Sequence, residues 1–154
     1  MSPFILHIPH DSTDIPQKWR ASICLSDAEL AREILYMTDM HTDDLYQLAG
    51  AARLRFPVSR LVLDPERFAD DAQEPMAARG MGVIYTITSR REKLRDPLTA
   101  FERAELISTY YDPHHQTLTE MVDKALSEHD VCLIIDCHSF PRKALPYELR
   151  GEDE

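Results

Sequence analysis

Glycine, paired cysteine and positive charge are all scarce in this chain, and each shortage removes a class of function. Four glycines are present and none falls in GxGxxG or a P-loop, so the usual backbone cradle for nucleotide phosphates is missing. Cys24, Cys132 and Cys137 are odd in number and form no CxxC pair, which argues against a disulfide framework and a thiolate zinc finger. Seventeen basic against 27 acidic residues leave a formal charge of -10, and the arginines form no basic stripe. Nucleic acid and anionic membrane surfaces are therefore poor partners. No signal-type apolar segment follows Met1, and no apolar run approaches the roughly 20 residues of a membrane helix. A cytoplasmic protein is expected. Internal repeats, linkers and low-complexity segments are absent too.

What is present reads as one folded domain over 1–154, with 44% hydrophobic residues to build its core. Phe4 to Ile8 is a short apolar run stopped by Pro9, a strand feeding a polar loop. Ser26 and Glu29 form a capping box ahead of a helical stripe, Leu30, Ala31, Ile34 and Leu35, ending near Thr38. Thr42 offers a second N-cap, with Leu45, Leu48, Ala49 and Ala52 as the apolar face of another helix. Strands are predicted over 60–63 and 82–86, and a loop with one helical turn between Asp64 and Gly80. Thr99 and Glu102 form another capping box, for a helix running toward Tyr110. Asp112 before Pro113 predicts a restart, with Leu118, Met121, Val122, Ala125 and Leu126 as its stripe. Val131 to Ile135 reads as a strand buried on both faces. The tail, through Pro141 and Pro146 to Glu154, carries no further element. Alternating strands and helices give an α/β fold with a mixed, largely parallel sheet flanked by helices.

In such sheets ligands gather beyond the carboxyl ends of strands. His10 follows the first strand and His138 the last. Imidazole suits zinc, and a catalytic zinc takes three protein ligands and a water. Asp39 and Asp43, in the junction after the first helix, are the candidate carboxylates. Asp39, His41 and Asp43 start like a calcium loop. Yet Asp44 and Gly50 stand where that loop needs glycine and glutamate, and no HExxH is present. His7 lies three residues before His10, so their rings point to opposite faces of a strand, and His7 is read as structural.

Six blocks, in order along nearly the whole chain, carry a resemblance. They are His-Ile-Pro-His10, Thr-Asp39-Met-His-Thr-Asp-Asp-Leu-Tyr46 and Val-Ser-Arg60-Leu-Val-Leu-Asp64-Pro-Glu-Arg67. Gly80 to Thr86, Tyr111 to Leu118 and Ile135-Asp-Cys-His138-Ser complete the set. Together they resemble the N-formylglutamate amidohydrolases. The resemblance implies a hydrolase fold related to zinc carboxypeptidases, and hydrolysis of N-formyl-L-glutamate or a similar N-acyl amino acid. It implies His10, Asp39 and His138 as metal ligands, for zinc or for iron, manganese or cobalt in its place. Arg60 and Arg67 match arginines facing a substrate carboxylate, a task suited to a planar guanidinium; surface or loop pairing with Asp64 and Glu66 is the alternative. His115 matches a histidine that contacts substrate or orients a ligand.

The relatives so implied are longer, and a later segment supplies more sheet and the glutamate that acts as general base. None of Glu148, Glu152 and Glu154 stands in a matching context, so the chain reads as the N-terminal portion of the family fold, its catalytic base unassigned. The alternative function is accordingly a non-catalytic relative that keeps the ligands without the base. An incomplete sheet would also leave an open edge on which copies could self-associate.

Overall fold

In the computed structural model, residues 2–140 are described. Strand β1, Phe4–Ile8, is buried over most of its length and ends where Pro9 removes a ladder donor. Strands β2, Ala52–Arg55, and β3, Leu133–Asp136, lie on either side of it, giving the order β2-β1-β3. Both pairings are parallel, Ile5 facing Ala52 and Ile134, and His7 facing Leu54 and Asp136. Three carboxyl ends therefore open on one side. The α/β architecture with a parallel sheet and flanking helices agrees with the sequence pattern.

Parallel neighbours need crossovers. The first carries α1, Gln17–Arg20, α2, Asp27–Met37, and α3, Thr42–Leu45. Ser26 caps α2 reciprocally with Glu29, and the helix stops at Thr38 as expected. It turns Leu30 and Met37 into a core cluster with Leu61, Tyr85 and Leu94. The second crossover carries α4, Ala100–Leu106, capped reciprocally by Thr99 and Glu102, and α5, Asp112–His129, which lies against β1 and β2.

Four expectations need correction. The helix read through Ala52 stops at Leu45. Leu45 and Leu48 are exposed, so they supply no buried face, and the next residues pair with β1 instead. The predicted strands at 60–63 and 82–86 are irregular chain. Leu61, Val62, Leu63, Val83 and Tyr85 are fully buried there, and turn bonds such as Asp64 N–H to the Val83 carbonyl (2.8 Å) satisfy backbone groups. Their apolarity records burial, not a strand. Asp112 does not restart a helix; its own backbone is helical, and its N–H reaches back five residues to the Ile107 carbonyl. This wide π turn, Ile107–Tyr111, accommodates Pro113, whose ring would clash with a carbonyl four residues back in a regular helix. Finally β3 is not buried on both faces among the described residues: Val131 is 56%, Leu133 51% and Ile134 41% exposed, and β1 is its one neighbour there.

The expected turn between Asp64 and Gly80 is a single 3₁₀ turn, Ala77–Arg79. The tail features, Pro141, Pro146, Glu148, Glu152 and Glu154, lie outside the described residues. No helix among the described residues is long and apolar enough to cross a membrane.

Candidate functional site

Adjacent parallel strands set the site. His10 follows β1 and is 2% exposed, and His138 follows β3, their ring centroids 5.4 Å apart. The 39–41 junction is stapled across both strand ends. Asp39 N–H donates to the His10 carbonyl (3.0 Å), and Ser139 Oγ donates to the Met40 carbonyl (2.8 Å). Thr42 Oγ1 donates to the Asp39 carbonyl (2.6 Å), fixing the turn from behind. The Asp39 carboxylate then stands 2.7 Å from His138 Nδ1 and 3.9 Å from His10 Nδ1. The Asp39 carboxylate, 99 positions from His138 in sequence, thus lies beside both His10 and His138.

A second carboxylate pair meets the opposite nitrogens. His10 Nε2–H donates to Asp64 Oδ1 (2.9 Å) and has Glu66 Oε2 at 3.3 Å, while His138 Nε2 lies 3.2 Å from Glu66 Oε1. Asp64 has no exposed side-chain surface. Burial alone would raise its carboxyl, but the charges of Arg60 and His10, with hydrogen bonds from His10 and Tyr85, hold it well below the usual carboxylate range. Hydrogen bonding to Asp39 and then to Glu66 pushes the His138 imidazole up to about 10.

The donor chemistry fits a metal ion. His10 Nδ1 is buried without a hydrogen-bond partner, although buried ring nitrogens are normally satisfied. A lone pair left free beside a carboxylate and a second imidazole matches the nitrogen-and-oxygen set that holds zinc. Among the described residues, the sets whose donor atoms all lie within 4.8 Å of one another are His10, Glu66 and His138, and His7, Glu66 and Asp136; both contain Glu66 and neither contains Asp39. His7 Nδ1 meets Asp136 (2.5 Å) and its Nε2 meets His114 (2.8 Å), so it links β1 to β3 and α5. The structural role expected of His7 matches these contacts.

The other sequence candidates are placed as follows. Asp43 pairs with Arg53 rather than with either histidine, which removes it as the third ligand. His41 takes a left-handed backbone (φ 64°) at the head of α3. Arg60 Nη2 donates to Asp64 Oδ2 (2.8 Å) and to Tyr85 Oη (3.1 Å). Arg67 Nε lies 3.6 Å from the same Asp64 oxygen and its Nη1 3.8 Å from Glu74. Both arginines therefore gather at Asp64, one shell behind His10. His115 Nε2–H donates to the Pro65 carbonyl (2.9 Å), so it steadies the segment bearing Glu66. From sequence, Asp64 and Glu66 stand out only as partners for Arg60 and Arg67. Two carboxylates astride Pro65, just after an apolar run, were the signal available.

The family model for N-formylglutamate amidohydrolase matches residues 2–154. A crystal structure of N-formylglutamate amidohydrolase from Ralstonia eutropha JMP134 superposes with a TM-score of 0.77 at 24% identity, over 91% of this chain and 54% of that one. At that identity the likeness speaks for the fold, and the chain spans about half the length of that structure. No curated protein matches the chain. With the family model spanning all but the first residue, the chain belongs to the N-formylglutamate amidohydrolase family.

Proposed function

We propose that the chain serves metal-dependent hydrolysis of the amide in N-formyl-L-glutamate or a similar N-acyl amino acid. The observation that carries this reading is the unpartnered Nδ1 of buried His10, aimed beside Asp39 and His138. His10, Asp39 and His138 would hold the ion, zinc by preference and another divalent transition metal as the alternative. Bound there, it would polarise the acyl carbonyl and lower the pKa of a water. The chain's own groups prepare that site. Asp64 takes the Nε2 proton of His10, which leaves Nδ1 as the lone-pair nitrogen. Arg67, a quarter exposed, is the guanidinium with room to meet a substrate carboxylate, and Arg60 holds Asp64 in place. A small-molecule substrate and a cytosolic setting belong to the same proposal; free Cys24, Cys132 and Cys137 support the latter.

One observation favours a second reading, metal binding without turnover. Asp39, Asp64 and Glu66 are each engaged by a histidine, so none of these three carboxylates is left over to serve as a separate general base. Metal analysis of the purified chain, then formate release from N-formyl-L-glutamate, separates the two. Metal with formate release supports hydrolysis, metal without it supports the second reading, and a chain without metal defeats both.

A further inference from the structure

We infer that Glu66 is a positioning residue that locks both candidate imidazole ligands at once. The inference rests on the metal site proposed above and adds a residue to it. Each oxygen of one carboxylate serves a different ring: Oε2 lies 3.3 Å from His10 Nε2, and Oε1 lies 3.2 Å from His138 Nε2. Both contacts fall on the nitrogens remote from Asp39, which faces the two Nδ1 atoms. Glu66 therefore accepts from His138 Nε2–H and flanks the His10 Nε2–H that Asp64 accepts. With the protons on Nε2, the two Nδ1 atoms are the ones that would face the ion, that of His138 in exchange for its present bond to Asp39.

The alternative is that Glu66 is itself a ligand, with the ion on the Nε2 side. His10 argues against it. Its Nε2–H is already held by buried Asp64 at 2.9 Å, whereas its Nδ1 has no partner. The carboxylate is also fixed in place by its own backbone. Glu66 N–H donates to Asp64 Oδ1 (3.0 Å), and His115 holds the preceding Pro65 carbonyl. A side chain mounted this firmly sets the angle between two rings that come from different strands.

The test is zinc affinity of the purified full chain by competition with a chromogenic chelator, together with the visible spectrum of the cobalt-loaded chain. Glu66→Ala should weaken zinc binding about 10- to 100-fold and shift the cobalt bands, with the metal-free melting temperature unchanged. Glu66→Gln keeps one acceptor oxygen, enough for one ring, and should recover part of the loss. Wild-type affinity and spectrum in Glu66→Ala would overturn the inference and leave the metal reading standing. Complete loss of uptake, as in His138→Ala, would overturn it in favour of Glu66 as a ligand. A wild-type chain that binds no zinc would overturn the inference and the metal reading together.

Discussion

His10 and Asp64 form a buried pair in which one ring nitrogen is held and the other is left open. Nε2 sits 2.9 Å from Oδ1, and the carboxylate also takes the Glu66 N–H at 3.0 Å, Arg60 at 2.8 Å and the Tyr85 hydroxyl. A neutral replacement tests how much the site depends on it. Asp64→Asn should lower metal affinity about 10- to 100-fold, since a neutral amide that can also present its NH2 replaces the charged acceptor that sets the ring's tautomer. It should also destabilise the fold by on the order of 3 kcal/mol, the usual result of breaking a buried ion pair. Chelator competition and urea denaturation measure the two effects; an unchanged affinity would separate Asp64 from the site.

His114 gives a pH dependence of defined sign. Burial, then the neighbouring His7 and His115, lower its imidazole from 6.5 to about 4. Its ring stands edge-on to Phe56 and accepts or donates one bond, to His7. Between those two values the unfolded chain takes up a proton that the folded chain refuses. Stability from this group is complete above about pH 6.5 and is lost as pH falls toward 4, a change on the order of 2 kcal/mol. Urea denaturation at about pH 7 and about pH 5 should show the drop, and His114→Gln should flatten it. Equal slopes in wild type and variant would contradict this assignment.

The elements that were legible from sequence share a local cause. Ser26 with Glu29 and Thr99 with Glu102 announce helix starts within four residues, and Pro9 announces the end of β1. His10 and His138 were legible because strand ends in parallel sheets converge. Glu66 was not, since its loop returns to histidines 56 positions before it and 72 after it. Nothing in Asp64-Pro-Glu66-Arg67 says which ring those carboxylates will meet. Leu61 to Leu63 misled for a related reason: irregular chain buried between two core clusters, Leu61 in one and Val62 and Leu63 in the other, has the same composition as a strand.

Arg95 is 1% exposed, and its Nη2 donates to the Leu61 carbonyl while Nε and Nη1 have no partner. Burial lowers its guanidinium to about 10. A desolvated cation without a carboxylate is a cost that a flexible apolar side chain avoids. Arg95→Met should raise stability by about 1 kcal/mol in a urea titration; a clear loss would mean the guanidinium has a role the fold needs.

The β3 edge offers a test of self-association. Leu133 and Ile134 are both more than two-fifths exposed on a strand whose outer edge has no partner among the described residues. Leu133→Lys should reduce concentration-dependent association in sedimentation while moving stability by no more than about 0.5 kcal/mol. If wild type stays monomeric at all concentrations, the edge is not sticky in solution.

The wide turn at Ile107–Tyr111 sets the azimuth of everything that follows it. A regular helix advances by about 100° per residue, so one residue inserted into a turn rotates the downstream helix by that angle about its axis. With the insertion in place, His114 swings beneath the sheet to His7, and His115, the next step round, swings to the Pro65 carbonyl. Remove the extra residue and both imidazoles would sweep past their partners together. A five-residue detour in a helix thus acts as the angular setting for the loop that meets the candidate ligand rings.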